Sequence, residues 1–178
     1  MQIKTTVTVV HANMMYQKVD AVVNAANEGM RGGGGIDGII HQKAGRGLMD
    51  ELERVAPNGA KTGTAVITGG HKLKQPCIIH TPGPIWNHGK SGEAELLASS
   101  YRSCLEVADA NALKSIAFCS LSTGIYGYPL DEAAPIAVKT VRDYLDTHPN
   151  TSLERIVFAM FGEEEHKAFA KAYAEATA

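Results

Sequence analysis

The stretch Val19–Gly45, VDAVVNAANEGMRGGGGIDGIIHQKAG, decides how the rest of the chain is read. It opens with DAVVNAA, a short continuous apolar run of the kind buried on both faces of a parallel sheet. It closes with Ile36, Ile39, Ile40 and Ala44, apolar positions at the spacing of one helix face. Between them Gly32, Gly33, Gly34 and Gly35 stand in a row. Strand, glycine loop and helix in that order make an anion site, because glycine lets the backbone approach a ligand and a helix N-terminus offers unpaired N–H groups. The alternative is a plain tight turn, but consecutive glycines lose backbone entropy on folding that such a turn would not require. Asp37 is the awkward residue: a carboxylate two positions after a run built for negative ligands.

The same order of strand, loop and helix repeats along the chain. IKTTVTVV near the N-terminus alternates with period two and predicts a strand with one covered face, placed at a sheet edge. GTAVITGG, QPCIIHTPG, SIAFCSL and ERIVFAMF read as further strands, each closed by turn residues or leading into a helix. Leu48, Leu52 and Val55 continue a second short helix after the break AGRG, Ala44 to Gly47. Helices are expected from Glu93 to Ala108, with Ala94, Leu97, Ala98, Tyr101, Cys104, Leu105 and Ala108 on one face, and from Asp131 to Leu145 with Asp131 as N-cap. A terminal amphipathic helix, EEEHKAFAKAYAEA, carries acids in its first turn, where the dipole favours them. Alternating apolar strands and helices imply an α/β fold with a mainly parallel sheet covered on both faces. Ligands bind such sheets at the carboxyl ends of the strands. A second glycine-containing loop, STGIYGYP, leaves another buried strand, so both loops fall on one rim and suggest a diphosphate held from two sides.

Composition bounds the function. The chain has 178 residues, 44% hydrophobic and 20% charged, with formal net charge −2, which suits one ordinary globular domain spanning 1–178. Nothing resembles the basic footprint of a protein that grips nucleic acid, so no direct sequence-specific nucleic-acid binding is expected. Cys77, Cys104 and Cys119 are odd in number, lie in apolar stretches and read as reduced core thiols of a cytoplasmic protein. No apolar run approaches a membrane span and no signal-peptide core is present, so no membrane partner is expected.

Familiar chemistries fail on spacing. No P-loop string occurs. GGGIDG satisfies the dinucleotide pattern literally, but about nine residues separate it from the strand, and Glu51 and Glu53 fall in a helix pattern rather than at a strand end. The seven histidines have no metal-ligand spacing, so no metal and no cofactor is expected. Asp37 and His41, four residues apart on the first helix, read as a helix pair, with a catalytic dyad as the alternative. His80, at a strand end, reads as a satisfied near-core histidine.

Three blocks together resemble one family. The Val19–Gly45 stretch, IIHTPGPIW and SLSTGIYGYPLDEAAPIAVKTV are similar, in order and spacing, to the signature of macrodomains, specifically the MacroD-type branch with the bacterial O-acetyl-ADP-ribose deacetylases. The resemblance covers essentially the whole chain. It implies a three-layer α/β/α fold with a mixed, mainly parallel six-stranded sheet and an ADP-ribose cleft at the rim. Gly32, Gly33, Gly34, Gly35 and Ile36 from one loop, and Ser122, Thr123, Gly124, Ile125, Tyr126 and Gly127 from the other, would clasp the diphosphate. Tyr126 would cover the distal ribose. Asn27 and Asp37 would face that ribose as the catalytic pair, hydrolysing an ester there: the acetyl ester, or mono-ADP-ribose on a protein carboxylate. Partners are then ADP-ribose, its esters and ADP-ribosylated proteins. The competing reading is a module that binds ADP-ribose, or a related nucleotide, without turnover.

Asn13, Met14 and Ala25 complete the implied ligand contacts, and here the chain departs from the pattern. The family usually carries a GDI block whose aspartate accepts from the adenine amino group, whereas this chain has His11-Ala12-Asn13-Met14. Asn13 is a neutral and therefore weaker acceptor. Arg31, just before the glycines, is read two ways, as a cation for the diphosphate or as a solvent-facing side chain. Pro82 is expected only to stiffen its loop.

Overall fold

The computed structural model describes residues 4–178. In chain order the elements are β1 (Thr6–His11), a short 3-10 turn (Met14–Tyr16), β2 (Ala21–Ala26), α1 (Gly35–Ala44), α2 (Arg46–Val55), β3 (Val66–Gly69) and β4 (Cys77–Pro82). Then follow α3 (Glu93–Ala110), β5 (Ser115–Phe118), α4 (Leu130–Thr147), β6 (Arg155–Met160) and α5 (Glu163–Ala176). The strands form one six-stranded sheet in the order β1-β6-β5-β2-β4-β3. Every neighbouring pair is parallel except β3 with β4. This is the mixed, mainly parallel α/β/α architecture that the resemblance implies, with the alternating first strand at an edge.

Strand alternation explains the layers. Ala21, Val23, Ile79, Phe118, Ile156 and Phe158 point to one face and pack with α3, α4 and α5. Val22, Ala26, Ile78, Ala117, Val157 and Ala159 point to the other and pack with α1 and α2. On that second face β2 and β4 each carry one polar residue, Asn24 and His80, which are register partners in the sheet. Both are fully buried.

Some boundaries shift. The strand expected over residues 3–10 begins at Thr6, and Ile3 lies outside the described residues. α1 and α2 divide at Gly45, whose φ of 86° only glycine adopts without strain. Val55 and Ala94, expected inward, are exposed. Asp131 is not the cap of α4: the helix starts one residue earlier with Pro129 at the N-cap, and Asp131 sits in the first turn. Pro82 is no loop residue, but ends β4, and its carbonyl accepts from Gly63 N and Ser100 Oγ. The 3-10 turn had no apolar periodicity to announce it.

Five parallel strands end on one rim, in the order β1, β6, β5, β2, β4. At about 4.8 Å between strands, the rim runs for about 19 Å. That is room for an extended ligand rather than a single phosphate.

Candidate functional site

A cleft of about 450 Å³ lies along this rim. At its centre are the two glycine-containing loops, Gly33 to Ile36 from β2 and Ser122 to Tyr126 from β5. Asn27, Asp37 and Ala25 line it on the β2 side, and Asn13 and Met14 on the β1 side. Gly32 and Gly127, expected as ligand contacts, do not line it. Both have positive φ, 92° and 74°, which shapes the turns of their loops. The cleft also takes in Phe161 and Glu165 after β6, Gly83 after β4, and Cys119 and Ser120 after β5, none of which the sequence marked as a ligand contact. Gly83, a glycine between two prolines, was the readable clue among them: a Cβ there would overlap Ser122 Oγ.

The glycine loop is held by its own neighbours. Asn27 Nδ2 donates to Gly32 O (3.0 Å) and Met30 N donates to Asn27 Oδ1 (3.1 Å), so this side chain folds the loop as well as facing the cleft. Arg31 does neither of the things its position suggested. Its guanidinium donates to Met30 O (3.0 Å), Ala56 O (2.9 Å) and Pro57 O (3.2 Å), tying the loop to the carbonyl-rich end of α2, where a cation is favoured. Gly38, in the first turn of α1, passes so close that a Cβ would stand 2.7 Å from Gly33 O.

Asp37 is buried on the inward face of α1. Its Oδ1 accepts from Asn24 Nδ2 at 2.7 Å, and His41 Nε2 lies 3.3 Å away, the expected helix pair. Its Oδ2 turns the other way: a Cβ on Gly33 would meet Oδ2 at 3.3 Å and Asn27 Nδ2 at 3.1 Å. Gly33 therefore leaves open the space between the two polar groups. Behind Asp37, Asn24 Nδ2 also lies 3.0 Å from His80 Nδ1, and His80 Nε2 lies 2.9 Å from Thr68 Oγ1. Burial, reinforced by His41, lowers the His80 pKa to about 3, so the ring is neutral. The reading of His80 as a satisfied core histidine holds, but the residue lies within β4 and not at its end.

The second loop stores strain. Ser122 has φ 67°, unusual for a residue with a Cβ, and its Oγ is buried with no partner among the described residues. Such outliers persist where the surroundings over-determine them. Here Tyr128 N donates to Ser122 O (2.9 Å), Gly127 N to Gly124 O (3.0 Å), and Trp86 N to Tyr126 O (2.8 Å). The Tyr126 phenol is pushed up by burial, and further by Glu28 and Asp37, so it stays protonated and able to donate. Ile125 is 87% exposed beside the cleft mouth.

The β1–β6 end is different. Asn13 caps the 3-10 turn, its Oδ1 accepting from Met15 N at 2.9 Å. Phe161, 75% exposed, offers a bare aromatic face. Cys119 is not a strand-core thiol as expected; it stands one residue beyond β5 in the cleft wall, near Val23 O. Burial pushes its thiol up to about 12, which makes it a poor nucleophile. Cys77, Cys104 and Cys119 are all unpaired. Among the described residues no cluster of three His, Cys, Asp or Glu could hold a metal ion, and no helix is long and apolar enough to cross a membrane.

Arranged along the rim, these parts suit a ligand with a base or other flat group, a diphosphate and a sugar, with a carboxylate oxygen at the sugar end. Known proteins match the same arrangement. The Macro domain family model matches residues 23–137. An O-acetyl-ADP-ribose deacetylase of Salmonella gallinarum is 45% identical over 165 residues, covering 92% of this chain and 91% of that protein. A variant of the Oceanobacillus iheyensis macrodomain, solved with ADPR, superposes with TM-score 0.89 at 35% identity, over 98% of this chain and 95% of that one. The Trypanosoma brucei macrodomain in complex with ADP-ribose superposes with TM-score 0.85 at 39% identity, over 93% of this chain and 68% of that one.

Proposed function

The chain belongs to the macro domain family, and we propose that it binds ADP-ribose and hydrolyses an ester at the distal ribose. The substrates are O-acetyl-ADP-ribose or mono-ADP-ribose on a protein Asp or Glu. The observation that carries the hydrolytic part is the split role of Asp37: Oδ1 is bonded inward to Asn24, while Oδ2 faces the gap at Gly33 beside Asn27. The relatives support the ligand: the Salmonella protein is named a deacetylase of O-acetyl-ADP-ribose, and the Trypanosoma macrodomain is complexed with ADP-ribose.

In this reading the α1 N-terminus and the loop Ser122 to Tyr126 hold the diphosphate through backbone N–H groups. The unpartnered Ser122 Oγ gives one more donor. Asp37 Oδ2 accepts an O–H of one water and turns its lone pair toward the ester carbonyl carbon. That water oxygen forms the new C–O bond, the bond from the carbonyl to the ribose oxygen breaks, and the ribose hydroxyl regains a proton. Three unpaired thiols support a reducing, cytoplasmic setting.

One observation favours a second reading, binding without turnover: both polar ends of the Asn27 side chain are already engaged within the loop. Incubation with O-acetyl-ADP-ribose and with an ADP-ribosylated acidic peptide separates the two, with Asp37→Ala in parallel. Release of acetate or free peptide by the wild type and not by the variant supports the hydrolase. Equal inertness of both proteins, with ADP-ribose still bound, leaves the binding module.

A further inference from the structure

The buried polar residues behind Asp37 are arranged in one direction only. Asn24 Nδ2 is purely a donor. It lies 2.7 Å from Asp37 Oδ1 and 3.0 Å from His80 Nδ1, so its two hydrogens go one to each. Nδ1 must then be the acceptor on a neutral ring, which puts the proton on Nε2. Nε2 in turn donates to Thr68 Oγ1 (2.9 Å), and Thr68 passes its own hydrogen to Gly69 O (3.1 Å). Turning the Asn24 amide over would set its oxygen against the Asp37 carboxylate, so the neighbours fix it. The amide oxygen is left buried with no partner among the described residues.

That orphan is informative. A buried unsatisfied acceptor costs about 1–3 kcal/mol, and apolar residues of the same shape at both positions would be nearly neutral. Stability alone does not explain Asn24 and His80 in register on adjacent buried strands. We propose that the Thr68–His80–Asn24 chain positions Asp37: it holds Oδ1 inward and so presents Oδ2 to the cleft. The inference rests on the hydrolytic reading above and deepens it. Asn24 and His80 touch no ligand. They act through Asp37, and His80 acts through Asn24 by clamping the amide that would otherwise swing about its Cβ.

Three variants and one spectrum test it. His80→Leu removes the clamp, while His80→Asn keeps an acceptor oxygen near the place of Nδ1; Asn24→Leu removes the contact to Asp37 itself. With O-acetyl-ADP-ribose as substrate, His80→Leu should lower kcat by about tenfold or more, as misplacement of a catalytic group does, with KM and the calorimetric ADP-ribose Kd within about twofold. His80→Asn should recover most of kcat without recovering the melting temperature. Asn24→Leu should lose more than His80→Leu. If His80→Leu keeps wild-type kcat, or His80→Asn is as poor as His80→Leu at equal thermal stability, the positioning role is overturned. Nitrogen NMR of the wild type gives a readout that needs neither turnover nor a variant that folds. The His80 ring should be neutral and protonated at Nε2, with Nδ1 as an acceptor. A ring protonated at Nδ1 reverses the chain and ends the proposal. An inert wild type with the expected ring signals instead removes the hydrolytic reading, leaving a clamp on a carboxylate that orients bound ligand.

Discussion

The two ends of the cleft are built on opposite plans. At the β2–β4 end Asn24, Asp37 and His80 are buried and bonded to one another in a chain, and the carboxylate has one oxygen bonded inward and one facing the cleft. At the β1–β6 end the polar and aromatic groups are half-buried or exposed: Phe161 is bare, Glu165 is partly open, and Asn13 uses its oxygen on a local turn. Positional precision is concentrated at the first end. A reacting ester needs atoms fixed to fractions of an ångström, whereas a flat group can be held by stacking on an adaptable face. Turnover should therefore respond sharply to changes at the first end, and affinity mildly to changes at the second.

The largest effect is expected at Asp37. Asp37→Ala should lower hydrolysis of O-acetyl-ADP-ribose by about 100-fold or more, the range for loss of a positioned acid or base. ADP-ribose affinity by calorimetry should change only a few-fold. A variant that loses binding in step with rate would erase the contrast, because Asp37 would then be a ligand contact.

Next comes a pH effect peculiar to the buried end. The His80 pKa falls from an ordinary 6.5 to about 3 in the folded chain, through burial first and His41 second. Below pH 6.5 the unfolded chain takes up a proton that the folded chain refuses. The stability is fully present above pH 6.5 and declines as pH falls toward 3. By pH 5 the loss amounts to about 2 kcal/mol. Denaturant melts of wild type and His80→Asn at pH 7.5 and pH 5 isolate it: the wild type should lose that much more than the variant. Equal losses would mean that His80 is protonated in place.

The glycine loop, between the two ends, should separate its own members. A Cβ at Gly38 would press on Gly33 O, which is backbone, whereas one at Gly34 would meet Ile125 Cδ1 at an ordinary 3.6 Å. Gly38→Ala should thus displace the loop and weaken ADP-ribose binding by about tenfold, even though alanine favours the helix by up to about 1 kcal/mol. Gly34→Ala should leave binding within about threefold. Equal effects would show that the loop yields as a unit.

The contrast between the ends also accounts for what could be read in the sequence. The fold was legible because apolar runs and glycine punctuation are local and periodic: DAVVNAA, GGGG and the Ile36–Ile40–Ala44 face each declare an element. Asp37 and Asn27 stood inside that punctuated stretch and could be found. Asn24 and His80 could not be joined, because their pairing depends on β2 lying beside β4, 56 positions away. Phe161 and Glu165 were missed for the same reason: only the crossing of β6 next to β1 brings them to Asn13. Arg31 was misplaced because its partners are carbonyls at the end of α2, which no side-chain pattern reveals.

The smallest expected effect is at Asn13. Its Oδ1 is held by Met15 N, so the amide orientation is set and Nδ2, a donor, is the group left over beside the cleft. In Asn13→Asp one carboxylate oxygen takes over the cap, where the turn's unpaired N–H favours an anion, and the other replaces the leftover donor with an acceptor. An adenine amino group would then find a charged acceptor in place of an N–H. The gain is limited by Glu165, which lines the same cleft and would repel a second carboxylate across it. ADP-ribose should bind about three- to tenfold more tightly to Asn13→Asp, with melting temperature unchanged or raised. Adding Glu165→Gln should enlarge the gain, and raising salt should enlarge it in the single variant, since salt screens the repulsion more than a short hydrogen bond. Calorimetry on the single and double variants at two salt concentrations measures all three. A variant that binds ADP-ribose no better, or worse, would mean that the adenine is held by the Phe161 face alone and that Asn13 serves only the turn it caps.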